Sequence, residues 1–261
     1  VYCKDVPAFV QYVKNKRDVL DVHLKMGIDG GGGFLEMCLS VQSNELDFEC
    51  SGKRAKYDEG IAARKFRDSG VKQLFILAAV PRAQENIKNV DQLISTLNIS
   101  PFHGTIATDL KLTNILAGIM SHSSAYPCTY CYAKRHELSS CGELRCPENV
   151  SSYYTSWLTE GKGSKNKAKD YFNCIHPPLI ATVGGKTFLD IIPPPELHLM
   201  LGVVNTVFTH LLKECENESL TWTKACHVQL EIRRGCSGFE GNACITLLDE
   251  QEHLTKITKH V

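Results

Sequence analysis

The chain has 261 residues, 43% of them hydrophobic, and its 29 basic side chains are balanced by 29 acidic ones. That supports a real core in one large domain or two small ones, but not the global positive field of a strongly basic nucleic-acid binder. With no apolar run long enough for a bilayer, no leader-like segment and Val1 in place of Met, we expect an excerpt of a longer intracellular protein with no membrane partner.

Taken in chain order, residues 8–22 mix apolar and charged positions at helical spacing behind Pro7, which predicts a leading helix. Residues 24–28 read as a short strand ending in Asp29. Four glycines then turn the chain, and residues 34–41 continue as a second, antiparallel strand. Residues 73–80 (QLFILAAV) form an unbroken apolar run, the pattern of a central strand buried on both faces. Ile87, Val90, Leu93, Ile94 and Leu97 line one face of a helix over 84–97 that should cover the sheet. A short strand over 103–107 leads into Thr108, Asp109 and an amphipathic stretch to Met120.

The order strand, strand, strand, helix, strand, helix predicts a mixed sheet, because a short crossover helix makes the strands it joins parallel while the glycine turn makes the first pair antiparallel. If the strands ending in Asp29 and Asp109 are parallel neighbours, both carboxylates arrive at one edge. Beyond Met120 the character changes to loop-like, cysteine-containing sequence, then a lysine-punctuated stretch (Lys162, Lys165, Lys167, Lys169) read as a linker. Residues 188–192 suggest a short strand, and Pro193, Pro194 and Pro195 introduce a helix over 197–212.

Two carboxylates at a sheet edge suit divalent cations, which take oxygen ligands and keep several waters. Paired cations about 3.5–4 Å apart stabilise both oxygens of a phosphodiester displacement. Glycines beside Asp29 would let a phosphate backbone approach. Taken singly, Asp29 is a plain turn acid and Asp109 a helix N-cap. A rival reading makes 28–33 a phosphate loop of an ATP-dependent phosphotransferase, actin-like or sugar-kinase-like, with Val183-Gly184-Gly185 as its second loop. Local basic runs, Lys53, Arg54, Lys56, Arg64, Lys65 and Arg67 above all, are candidate DNA contacts as well as ordinary solvated surface.

The twelve cysteines mostly sit in apolar segments, as Cys38 does, and read as thiols rather than a disulfide framework. Cys128 and Cys131 differ: C-x-x-C offers two ligands to a tetrahedral zinc, with a redox pair or two buried thiols as the alternative. Cys141 and Cys146 would close a zinc site locally, and His176, His198, His210, His227, His253 or His260 from a distance.

The stretch Gly104-Thr-Ile-Ala-Thr-Asp109, the pair in Cys128-Thr-Tyr-Cys131, and Pro195-Glu196-Leu197-His198 with Gly202 and Asn205 resemble the catalytic core of the V(D)J recombinase catalytic subunit and the related Transib-type transposases. The similarity spans roughly residues 25–212. It implies a ribonuclease-H-like α/β fold, a mixed sheet with flanking helices, interrupted or followed by a mostly helical zinc-binding insertion domain. We expect the catalytic core over 1–125 and the insertion domain over 126–261, truncated before the catalytic Glu.

By the same resemblance Asp29 and Asp109 are the first two acids of a DDE triad holding two Mg²⁺ or Mn²⁺ ions, and Cys128 and Cys131 are ligands of a structural Zn²⁺ that the family completes with two downstream histidines. His198 would lie near the active site and touch DNA. The function implied is two-metal DNA strand cleavage and transfer in the nucleus, by a homodimer of the full-length protein. The third acid departs from the pattern: Glu250 and Glu252 fall in a helical stretch, but neither is assigned. The alternative is a domesticated, catalytically inactive scaffold that binds DNA or protein.

Overall fold

The computed structural model describes residues 1–18, 20–43, 74–99, 102–138, 140, 142–180, 184–233, 236–250 and 252. It divides into two compact units, Val1–Pro193 and Pro194–Val261. The first is an α/β unit built on a four-stranded mixed sheet.

Helix α1 (Val6–Arg17) is started by Asp5, whose side chain accepts from the Ala8 amide, and ended by Asp18 in the left-handed conformation. It stops five residues short of the expected end because β1 (Val22–Gly31) takes over. Strand β2 (Phe34–Ser43) returns antiparallel through a two-residue turn, Gly32 and Gly33, both at positive φ (58° and 86°). Such a turn suits the twist of the flanking strands, and glycine enters it without Cβ strain.

Strand β3 (Phe75–Pro81) pairs antiparallel with β2, and β4 (Thr105–Thr108) pairs parallel with β1, giving the order β3-β2-β1-β4. The run over 73–80 is therefore an outer strand and not the central strand its hydropathy suggests. Its far edge meets just the N-terminal residues among the described ones, through the isolated Tyr2↔Ala78 bridge and the bonds from Cys3 N to Leu77 O and from Ala79 N to Val1 O, and Ile76 is 71% exposed. Its apolar character serves one face, where Leu77 and Ala78 are buried.

Met26, Ile28, Leu35, Met37, Leu39, Val41 and Ile106 form the buried face of the sheet by strict alternation. Helix α2 (Ile87–Leu97) contributes Val90, Leu93, Ile94 and Leu97 to the same core, as its periodicity predicted, and Asn86 caps its start. Helix α3 (Leu110–Ala117) follows β4 directly and buries Leu112 and Leu116. Each such leucine stabilises the fold by about 2–5 kcal/mol relative to alanine.

The first unit continues past residue 125 without a break, which moves the division seen in the sequence to Pro193. The chain over 173–179 is bonded to the end of α3: Met120 N donates to Asn173 O at 3.0 Å, Ile175 N to Gly118 O at 3.0 Å and Leu179 N to Leu116 O at 2.9 Å. Gly118 (φ 83°) has no room for a Cβ beside the His176 carbonyl, so this junction closes only with glycine. Helix α4 (Pro147–Thr159) belongs to this unit, and the lysine-punctuated stretch is a 3₁₀ helix (Lys165–Tyr171) rather than a linker. Residues Phe188–Ile191 form a helical turn, α5, and not a strand. Thr187 and Asp190 make a reciprocal capping box there, a local signal that outweighs the apolar run.

The second unit is mainly helical. It comprises α6 (Glu196–Glu214), α7 (Glu216–Ala225), a hairpin of β5 (Glu231–Arg233) with β6 (Cys236–Gly238), and α8 (Gly241–Asp249). Its own core gathers Val204, Phe208, Trp222, Phe239 and Leu247. The hairpin and α8 are pinned to α6 and to each other through Asn205, whose Oδ1 accepts from Phe239 N at 2.7 Å. Among the described residues no helix is long and apolar enough to cross a membrane.

Candidate functional site

The parallel register of β1 and β4 sets Ile28 opposite Thr108, so Asp29 and Asp109 are the next residues on neighbouring strands. Their backbones are therefore about 5 Å apart. Asp109 keeps an extended conformation (φ −72°, ψ 169°), so it continues the alternation of β4. Ile28 and Thr108 point into the core; Asp29 and Asp109 leave on the opposite face, Asp29 exposed and Asp109 half-buried. Residues 80 positions apart thus share one edge, as the element order predicted.

Asp109 is also the N-cap of α3: its Oδ1 accepts from the Leu112 amide at 2.7 Å. The cap occupies one carboxylate oxygen. A carboxylate has about four acceptor positions, so capping and metal binding are compatible in one side chain.

A third carboxylate joins them that the sequence reading missed. Glu36 is the cross-strand partner of Asp29, on the same exposed face. Like charges directly opposite on an antiparallel pair destabilise it, so this pair gains from a nearby cation. The half-buried Cys38 thiol registers the same field: burial pushes its pKa up, and the charges of Glu36 and Asp29 add to the rise. A turn placed at Gly32 and Gly33 pairs 29 with 36 by counting alone, so this signal was available. In their present arrangement no three His, Cys, Asp or Glu among the described residues are disposed to hold an ion together.

The glycines beside Asp29 have structural duties. A Cβ on Gly30 would run into the side chain of Glu85, which lies over β1 and forms an ion pair with Lys111 of α3. Gly30 thus makes room for Glu85, and Gly32 and Gly33 satisfy the turn. Gly31, whose Cβ would find nothing nearer than Asp29 Oδ2 at 4.0 Å, and the turn glycines Gly32 and Gly33, with nothing within 4 Å, keep the open approach that Gly30 lacks.

Cys128 and Cys131 sit together half-buried and buried, and Tyr130 N donates to Cys128 Sγ at 3.4 Å. Burial pushes the Cys128 thiol up, and Cys131 adds to the rise. Behind them lies the fully buried Arg145, which donates to the Cys131 carbonyl at 3.0 Å and the Phe172 carbonyl at 3.1 Å and stacks on Tyr132 at 4.4 Å. Its Nη2 has no partner among the described residues. Burial dominates this node and pushes the neighbouring Cys174 thiol up to about 11, the Arg145 guanidinium offsetting only part of that rise. Cys128 and Cys131 supply two of the four donors that a tetrahedral zinc takes. Cys146 begins α4, and His176 Nδ1 lies 2.9 Å from the Pro177 carbonyl. Cys141, His253 and His260 lie outside the described residues.

The cysteine loop is tied to the acidic edge through α3. Thr129 Oγ1 donates to Asn114 Oδ1 at 2.5 Å. His122 places Nε2 2.9 Å from the Leu110 carbonyl, next to Asp109, and Nδ1 3.0 Å from the Pro127 carbonyl, next to Cys128. His122 carried no signal in the sequence, because its role depends on a loop returning to the start of α3. Of the other expected contacts, Lys53, Arg54, Lys56, Arg64, Lys65 and Arg67 lie outside the described residues, and His198 falls in the first turn of α6 in the second unit. Comparison of the chain with protein-family models and with curated proteins gave no match.

Proposed function

We propose that the chain carries the catalytic edge of a ribonuclease-H-like DNA nucleotidyltransferase of the transposase and recombinase kind, acting on DNA in the nucleus as a homodimer of the full-length protein. The four-stranded mixed sheet, in the order β3-β2-β1-β4, is compatible with that fold. The observation that carries the reading is the β1–β4 register, which delivers Asp29 and Asp109 to the carboxyl ends of two parallel neighbours. Ligand sites on such sheets form at those ends.

Asp29 and Asp109 would hold Mg²⁺ or Mn²⁺, with Glu36 within reach of the same face. Cations bound there supply activation of a water or 3′-hydroxyl and stabilisation of the departing oxyanion. The carboxylates would keep such ions at the edge, the α3 cap holds Asp109 in place, and Gly31, with no side chain, would leave the phosphodiester a path. Cys128 and Cys131 would anchor a structural Zn²⁺, which through Asn114 and His122 would steady the start of α3. A further carboxylate completes the triad of an active enzyme. A copy without one would persist as a DNA-binding scaffold.

The test is Mn²⁺ titration of the purified chain, with Asp29→Asn and Asp109→Asn in parallel and duplex DNA present or absent. Loss of a DNA-enhanced Mn²⁺ signal in both variants supports the shared edge. Unchanged binding in both defeats it, and ATP binding at the glycine turn then becomes the competing assay.

A further inference from the structure

A cleft of about 370 Å³ opens in the first unit between the 123–126 loop, the 134–136 turn and the 3₁₀ helix. Its lining includes Lys134, Arg135, His136 and Lys169 against a single carboxylate, Asp170. In a chain whose formal net charge is zero, this is a local concentration of positive charge drawn from separate segments. Cations converging on a concave surface repel one another, and an anion between them relieves the repulsion.

The walls are built before any ligand arrives. Asn173, 1% exposed, has its amide oriented so that its oxygen accepts from Tyr126 N at 2.8 Å, Ala125 N at 3.2 Å and Ser124 Oγ at 2.6 Å. Arg135 donates from its backbone to Ala125 O at 2.9 Å and from Nη1 to Ser123 O at 2.8 Å. These bonds leave the exposed Lys134 and Lys169 as adaptable charges on a fixed frame. Among the described residues Lys134 pairs with Glu137 at 3.7 Å, a surface contact worth little in water.

The cleft also lies near the acidic edge. Ser123 follows His122, whose ring reaches the Leu110 carbonyl beside Asp109. That bonded path keeps the backbones of Ser123 and Asp109 within about 20 Å. A duplex has a phosphate every ~3.4 Å along each strand, so DNA engaged at Asp29 and Asp109 has backbone within reach of the cleft.

We propose that this cleft is a phosphodiester-backbone site that holds duplex DNA beside the Asp29–Asp109 edge. It deepens the nucleotidyltransferase reading and rests on it for the choice of DNA as the polyanion. Lys134 and Lys169 contact phosphate oxygens, and Arg135 fixes the wall. Contacts of this kind position a duplex without reading its sequence.

The experiment is fluorescence anisotropy of a labelled duplex with the whole chain in chelator, across a salt series. The cleft variant is Lys134→Glu with Lys169→Glu, and the control is Lys4→Glu with Lys16→Glu, an equal charge change on exposed residues elsewhere. We expect the cleft variant to bind at least about 10-fold more weakly and to lower the salt slope by about 2, with the control near wild type. Thermal melts check both folds, and Lys134→Gln with Lys169→Gln repeats the test with a milder change. A cleft variant that matches wild type in affinity and slope, or a control that weakens equally, overturns the site. So does a wild-type chain that binds an acidic peptide of equal charge as tightly as DNA. The edge is judged separately by Mn²⁺ titration without DNA, which the cleft variant leaves unchanged: a wild-type chain that binds no Mn²⁺ yet keeps its cleft binding sinks the catalytic reading alone.

Discussion

The acidic edge and the Arg145 node occupy the same unit but are assembled by opposite means. At the edge, backbone register does the work: Asp29 and Asp109 meet because Ile28 pairs with Thr108, and their charged ends remain towards solvent. At the node, a side chain does the work. Arg145 is fully buried and bridges the Cys131 and Phe172 carbonyls, holding segments that share no sheet. A site made by register can lose its side chains and keep its fold, whereas a buried cation that bridges carbonyls cannot be removed without leaving them unpaired.

Replacement of Arg145 by Ala should therefore give the largest effect, a loss of roughly 3–5 kcal/mol in urea unfolding, from the emptied volume and two orphaned carbonyls. A loss below about 1 kcal/mol would break the contrast and assign the node to the surface class of substitutions.

Gly30→Ala comes next. The new methyl group meets Glu85, and the expected cost is about 1–3 kcal/mol, the range for overpacking. Partial rescue by Glu85→Ala, read as a double-mutant cycle, would localise the clash. An unaltered melt for Gly30→Ala would return Gly30 to the role of an open approach for phosphate.

Asp109 sharpens the comparison most, because its two duties separate chemically. Asparagine caps a helix about as well as aspartate, while alanine forfeits about 1 kcal/mol. Asp109→Asn should thus keep wild-type stability and lose Mn²⁺ binding, whereas Asp109→Ala loses both. Equal stability of the two variants would mean that the cap contributes nothing.

The smallest effect is alkaline. Tyr130, beside the cysteine pair, has its phenol pushed from 10 up to about 12, first by burial and then by the charge of Cys128. Its folded pKa is raised above the unfolded value, so its stabilising contribution is complete below pH 10 and is lost as pH rises towards about 12. Tyr130→Phe should flatten the fall in stability across that window, and an identical pH profile would remove Tyr130 as its cause.

Local sequence made much of the first unit legible. The 3.6-residue spacing of Val90, Leu93, Ile94 and Leu97 announced α2, and the glycine run announced the β1–β2 hairpin. The errors arose where hydropathy was asked for position. The apolar run 73–80 says that the strand is buried on at least one face, not where in the sheet it lies; Phe188, Leu189 and Ile191 are apolar in a helical turn as they would be in a strand.

By itself the sequence determined that two aspartates end the first and fourth strand-like segments, that two cysteines share a turn, and that the connections force a mixed sheet. These follow from local periodicity, turn chemistry and the kind of connection between strands, each read from one continuous stretch of chain. Only the tertiary structure decided that Glu85 occupies the space over Gly30, that the chain past residue 125 stays in the first unit, and that Lys134, Arg135 and Lys169 converge on one cleft. Each of those depends on segments far apart in the chain packing against one another, and side-chain contact between such segments has no periodicity to be read beforehand.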